Sequence, residues 1–398
     1  MRVLIAPDCF TGTLTATQAA EAIAAGWRLA APHDDLTLRP LSDGGPGFLD
    51  VVSSAIGGDM VVATVSDPLG RPVPAAILVV EGEQGRTAYV ESAQAAGLHL
   101  LSADERNPAL TSTWGVGELV ELARAEGARQ IVVGLGGSST NDGGAGMLAA
   151  LGAGPAEALA RGGAALAELE VPDLGGLVGT KGAFEGIDIV IASDVDNPLL
   201  GFKGASAVYA PQKGATPGVA QQLEAALGHF TDMVNRALEE RSPSAFGVDL
   251  LSGMPRRPER WEGAGAAGGL GYGLMLLGGH RVSGVGAVLD AVRFDDALRV
   301  HDLVVTGEGC FDWQSLSGKV VSGVSTAALS TGTPTVVIAG QVMVGRRETM
   351  TLGVSGCYAV AETLAEVEAA MTDPVGTLKA RAARVAATWS PPPPRATS

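Results

Sequence analysis

The sequence predicts an α/β protein of two domains, one with a mainly parallel sheet and a smaller one carrying an antiparallel β meander. Three observations lead there. The opening reads as a β-α-β unit, short apolar runs recur with Gly-rich acidic segments at their ends, and residues 60–92 hold three β-rich runs joined by tight connections. At 398 residues the chain is long for one core. Aromatics are only 4% against 46% hydrophobic residues, so the core must be built from Ala, Val and Leu, as in parallel sheets covered on both faces.

Residues 3–6 form an apolar strand ending in Pro7-Asp8-Cys9. Thr15 with Gln18 three residues on is a capping-box pattern, and Ala19, Ala20, Ile23, Ala24 and Trp27 share one helix face. Residues 36–41 are a second strand, which delivers Ser42-Asp43-Gly44-Gly45-Pro46-Gly47. Runs 60–65, 73–81 and 86–92 make the meander and begin the second domain. A helix from Thr113, with Val116, Leu119, Val120 and Ala123 on one face, leads to a strand over 130–135 and then to Gly136-Gly137-Ser138-Ser139-Thr140-Asn141-Asp142-Gly143-Gly144. Residues 187–192 are too short for a helix and read as a buried strand ending in Ser193-Asp194-Val195-Asp196-Asn197-Pro198. An amphipathic helix covers 217–240, and a strand over 302–306 ends in a loop with Glu308, Asp312 and Lys319. Strands over 334–339 and 356–361 and two helical pieces follow, and the Pro-rich end reads as a disordered tail. The domain bounds expected are 1–58 with 285–389, an inserted 59–284, and a tail over 390–398.

The net charge of −16 argues against nucleic acid or an acidic membrane as partner, and no apolar run is long enough to span a bilayer. Three widely spaced cysteines without CxxC suggest neither disulfides nor zinc. Met1-Arg2 leads straight into an apolar strand rather than a signal peptide, so a reduced, soluble, cytoplasmic protein is expected. Of only five lysines, Lys181, Lys203, Lys213 and Lys319 each adjoin a glycine, a placement suited to phosphate contacts. The 136–144 segment is the strongest anion-binding signal, with two glycines, three hydroxyls and a helix start beyond it. A Gly/Ser turn capping a helix is the plainer alternative. It is not a Walker A loop. GAGAAGGLGYG over 263–273 reads equally as a phosphate-approach loop or as close helix packing. Taken together, five strand ends carrying Asp, Glu, Gly or Ser point to one cleft for Mg-dependent phosphoryl transfer to a small acceptor.

IVIASDVDNPLLG, APQKGA, GGSSTNDGG, GAGAAGGLG and TGEGCFDWQSLSGK, with the openings IAPDCFTGTLTA and LSDGG, resemble in content and order the signature segments of the bacterial glycerate kinase family. The resemblance implies a two-domain α/β fold, one domain Rossmann-like, with the active site in the cleft between them. It also implies ATP- and Mg2+-dependent phosphorylation of D-glycerate, at the 2-hydroxyl in the class most alike. Carried over by motif, glycerate lies near Asp8, Ser42, Asp43 and Gly44, and Asp194 orients or deprotonates its hydroxyl. Gly136, Gly137, Ser138, Ser139 and Thr140, with Lys213 and Lys319, hold ATP phosphates, and Asp196, Glu308 and Asp312 are metal candidates. Cys9 and Thr11 replace the family's usual Ser and Lys, and Pro46 and Phe48 depart from DGGEGT. Arg71, Arg256, Arg257 or Lys203 could make good the lost charge, or the acceptor could be another small hydroxy acid. A catalytically silent binding homologue and a nicotinamide-dependent dehydrogenase are the rival readings. Oligomeric state is not legible.

Overall fold

Short β-branched runs and alanine-lined helices build two α/β units in a computed structural model that describes residues 1–10, 12–241, 246–247, 256–316 and 318–390. Thr11, Ser317 and residues 391–398 of the expected 390–398 tail lie outside the described residues, while Ser390 is described and buried. The first unit comprises Met1–Asp43, Asp50–Ile56 and Ser283–Ser398, and the second Gly44–Leu49 and Gly57–Val282. In chain order the strands are β1 (Arg2–Ile5), β2 (Asp35–Leu38), β3 (Asp59–Ser66), β4 (Pro72–Gly82), β5 (Gly85–Glu91), β6 (Gln130–Gly134), β7 (Asp188–Ala192), β8 (His280–Val282), β9 (Leu303–Thr306), β10 (Cys310–Phe311), β11 (Thr335–Ala339), β12 (Gln341–Val342) and β13 (Val354–Ala359).

The first unit is a five-stranded sheet in the order β13-β11-β9-β1-β2, with every pairing parallel. Its strands are Val- and Ile-rich without alternation, as expected where helices cover both faces. Helix Ala16–Ala30 starts with the reciprocal Thr15–Gln18 capping box read from the sequence. Ala19, Ala20, Ile23, Ala24 and Trp27 are all fully buried, and they join Leu378, Ala382 and Val385 of helix Pro374–Trp389 in one core.

The second unit is a six-stranded mixed sheet in sequential order, β3 to β8. The meander pairs antiparallel from β3 to β4 to β5, and β5 through β8 run parallel. Val116, Leu119, Val120 and Ala123 of helix Trp114–Ala125 are buried against this sheet. Gly44–Leu49 group with this unit because Glu91, at the end of β5, accepts from the Gly47 and Leu49 amides at 3.2 Å each. Among the described residues no helix is long and apolar enough to cross a membrane.

The 263–273 segment resolves into packing. Helix Ala266–Leu276 opens on left-handed residues, and Gly268, at φ +70°, lies so close to the loop after β6 that a Cβ there would overlap the Thr140 carbonyl. It serves as a backbone-to-backbone seat for that loop. Gly268→Ala should therefore destabilise the protein by about 3 kcal/mol. Gly218→Ala, in open space on helix Pro217–Arg241, should leave the midpoint unchanged or slightly raised. Urea unfolding of the two variants checks both.

Candidate active site

Parallel neighbours send their carboxyl ends to the same edge of a sheet, and in the first unit β9, β1 and β2 are consecutive. The loops after them carry Glu308, Asp8 and Ser42-Asp43 respectively. The loop after β1 is tied to that after β9 by the Asp8 amide donating to the Gly307 carbonyl at 2.8 Å. Asp8 accepts from the Cys9 amide at 2.7 Å. Burial, then the charges of Asp43 and Glu308, push the Asp8 carboxyl up to about 8, against the pull of the Cys9 amide. Burial also pushes Glu308 up to about 7, with Asp312 and Asp43 adding to the rise and a bond to Ser315 and the charge of Lys319 opposing it. Glu308 is buried, and its Oε1 has no hydrogen-bond partner. Asp8, Asp43, Glu308, Asp312 and Lys319 thus interact in one unit, and Ser42 is buried at the same edge.

In the second unit the loops after β6 and β7 again share one edge. The loop after β6 is wired inward. Lys213 is 2% exposed, and its Nζ donates to Ser138 Oγ and to the Thr140 carbonyl, both at 2.7 Å. Ser139 donates its hydroxyl to the Ala96 carbonyl at 3.0 Å, while Thr140 Oγ1 is buried without a partner. Asp142 is buried, and burial raises its pKa against four opposing bonds. These come from the Thr113 amide at 2.8 Å, the Thr113 hydroxyl at 2.9 Å, and the Gly144 and Gly146 amides at 3.1 and 3.2 Å. Burial pulls Lys213 down to about 7, and the charge of Asp142 resists.

This corrects the sequence reading at one point. The helix beyond the loop, Ala145–Ala150, does not turn open amides to an anion, since the carboxylate of Asp142 occupies them. Lys213 and Ser139 are bound into the loop, and the lysine has one donor left of its three. Asp142, Thr113 and Glu91 were not singled out from sequence, although an Asp two residues before a Gly-opened helix is a capping signal. Gly136 and Gly137 let the loop approach Gly45 and Pro46; a Cβ on Gly136 would stand 2.5 Å from the Gly45 Cα.

After β7, Ser193 is buried, accepts from the Val195 amide at 3.2 Å and has its carbonyl bonded by Arg281 Nε at 3.0 Å. Asn197 bonds the Lys203 carbonyl at 2.7 Å and accepts from Tyr209 at 2.9 Å, which fixes the turn. Asp194 is half-buried and Asp196 exposed on that turn. Gly44 lies against the end of β7, with a Cβ there 3.0 Å from the Ala192 carbonyl oxygen. Among the described residues no three His, Cys, Asp or Glu side chains are grouped to hold a metal by themselves. Arg71, considered as a compensating cation, has its guanidinium held by Asp67 and Glu105 at 2.6 Å each. Phe48 is buried, edge-on to Tyr89 at 6.0 Å, and lines the core.

The buried groups of the two units respond to pH with opposite sign. Lys213 is depressed from 10.5 to about 7, so its contribution is present at high pH and is lost as pH falls from 10.5 through 7. Asp8 is raised from 3.8 to about 8, so its contribution is present at low pH and is lost as pH rises from 3.8 through 8. Hydrogen exchange in EDTA should show β6 and β7 gaining protection between pH 7 and 10 in the wild type but not in Lys213→Met. It should show β1 and β9 losing protection between pH 4 and 8, and losing less in Asp8→Asn.

The glycerate kinase family model matches residues 3–390. A glycerate kinase of Bacillus subtilis (strain 168) is 42% identical over 86% of this chain and 85% of its own length. A glycerate 2-kinase of Escherichia coli (strain K12) is 38% identical over 86% of each chain. The crystal structure of a candidate glycerate kinase 2 from Salmonella typhimurium LT2 superposes with a TM-score of 0.74 at 35% identity, covering 98% of both chains. The family model and these relatives cover most of the chain at well above 30% identity, and the chain belongs to the glycerate kinase family.

Proposed function

We propose that this chain transfers the γ-phosphate of ATP to the 2-hydroxyl of D-glycerate, giving 2-phosphoglycerate. The observation that carries the reading is the acid set Asp8, Asp43 and Glu308 on three adjacent parallel strands, in a chain of this family. Glycerate is small, polar and anionic. An Asp8 raised to about 8 is largely protonated at neutral pH, so it can donate a hydrogen bond to the substrate where an ionised carboxylate would repel it. Ser42 and Asp43 supply further polar partners, and Gly44 carries the backbone past them at positive φ. Asp194 orients the acceptor hydroxyl; in a loose phosphoryl-transfer transition state, holding the nucleophile in line is most of what the protein contributes.

The residues fit a Mg-nucleotide. Mg2+ takes one or two carboxylates together with phosphate oxygens and water, so it does not require a three-ligand protein cage. The unpartnered Oε1 of buried Glu308 and the crowding of Asp8, Asp43 and Asp312 favour a cation there, and Asp196 is a separate metal candidate on the second unit. Bound Mg-ATP supplies the transferable phosphoryl group and neutralises its charge. Lys319 supplies a cation for phosphate, and the backbone of Gly136, Gly137, Ser138 and Thr140 supplies close approach. Lys213 acts as a positioning residue that holds Ser138 and Thr140, with Ser139 held by Ala96.

The buried Phe48 favours glycerate over a longer acid, because that departure from the family pattern fills the core beside Tyr89 rather than reshaping an open pocket. Purified protein should release ADP with D-glycerate and Mg-ATP faster than with a panel of other small hydroxy acids, and 31P NMR should identify 2-phosphoglycerate. No ADP release with D-glycerate would sink the reading. Asp194→Asn should lower kcat by about 10²–10⁴ with the far-UV spectrum unchanged, and near-normal turnover removes Asp194 from the reaction.

A further inference from the structure

Phe311 and Val342, side by side in the short parallel pair β10–β12, turn into a small core with Val321, Val337 and Leu316. The next position on each, just past the two strands, is half-buried Asp312 and exposed Met343. The pair is extended by the Met343 amide donating to the Phe311 carbonyl at 2.8 Å. Trp313 follows Asp312 and opens a 3-10 turn, Trp313–Leu316, anchored by buried Ser315, whose amide donates to the Asp312 carbonyl at 3.1 Å. Of the five tryptophans, Trp27 is buried and Trp114, Trp261 and Trp389 pack against the cores, whereas Trp313 is 73% exposed and Met343 is 69% exposed.

We propose that Trp313 and Met343 are the platform on which the purine base of the nucleotide stacks. This rests on the kinase reading above. Two large apolar side chains, one on a pinned turn and one just past the strand paired with it, are costly to leave in water, and an indole and a polarisable thioether each suit the face of an aromatic ring. The surroundings select the occupant. Asp312 and Glu308 on one side suit a divalent cation, and Lys319 suits a phosphate. A ligand with an aromatic face at one end and a cation-bound polyphosphate at the other meets all of these, whereas glycerate has no apolar face. Stacking of this kind tolerates base exchange, so the platform prefers purines over pyrimidines by overlap area rather than by base-edge hydrogen bonds.

Acrylamide quenching of tryptophan fluorescence tests this. In the wild type an accessible, red-shifted component should be protected by Mg-ADP and left unprotected by inorganic tripolyphosphate, which lacks a base. That component should be missing from Trp313→Phe. In turnover, Trp313→Ala should raise KM for ATP about ten-fold with KM for glycerate unchanged. Trp313→Phe should restore most of the loss, and Met343→Ala should show a smaller rise. Protection by glycerate instead of Mg-ADP, an unchanged KM for ATP in Trp313→Ala, or protection that tracks protein concentration with a change in sedimentation each overturns the proposal, the last by pointing to a second copy. Protection by Mg-ADP without any turnover of glycerate would sink the kinase reading and leave the platform standing; turnover without protection would do the reverse.

Discussion

Parallel pairing is the constraint on which everything at the first unit's edge depends. Asp8 and Glu308 are three hundred positions apart in the chain, yet β1 and β9 are hydrogen-bonded neighbours running the same way, so both carboxyls emerge at one edge with Asp43 beside them. An antiparallel partner would have sent one of them to the opposite edge. The cost appears in the acids themselves, since desolvation and mutual repulsion hold Asp8 and Glu308 far above ordinary carboxylate values. The free protein keeps these groups in an unfavourable state that a cation or a proton relieves. Binding capacity is stored there as electrostatic frustration, as is usual where pKa values are strongly displaced.

The second unit solves the opposite problem. Its glycine-rich loop holds buried polar groups that must be satisfied internally, and the solution is a network around Asp142 and Lys213. Asp142 gathers amides from two segments, which fixes where the helix Ala145–Ala150 begins. Lys213 arrives from a different part of the chain and ties Ser138 to Thr140. Satisfied networks of this sort rigidify a loop, and removing one member leaves its partners buried and unpaired. Lys213 therefore shapes the loop whether or not its remaining donor meets a ligand.

The elements were legible where local pattern and tertiary environment agree. The Thr15 capping box, the meander, and the helix faces with Val116 or Trp27 all form as the local pattern dictates. The candidate acids were legible too, because strand ends in α/β sheets are where ligand groups collect. The direction in which polar groups face was not. Nothing local separates a phosphate-binding Ser-Ser-Thr from one whose serine bonds Ala96 and whose neighbour receives a lysine seventy-five residues on. Likewise a GxGxxG-like run cannot reveal that its glycines exist to seat Thr140. β8, three residues at the edge of the sheet, is too short to carry a pattern at all.

Two departures from the family's motifs take on a different weight once burial is known. Phe48 sits in the core against Tyr89, and Pro46 lies over Gly137, so both act on the packing of Gly44–Leu49 beneath the β6 loop. A chain of net charge −16 cannot draw glycerate and ATP by simple attraction. If both anions bind at the acidic edge as proposed, the edge must be partly protonated or metal-bound when they arrive. The raised Asp8 and Glu308 would meet that requirement. On that proposal, affinity for the anions should be inseparable from the occupancy of the acids by protons or Mg2+, and the acidic edge would serve as a binding surface because its charge is not fully expressed.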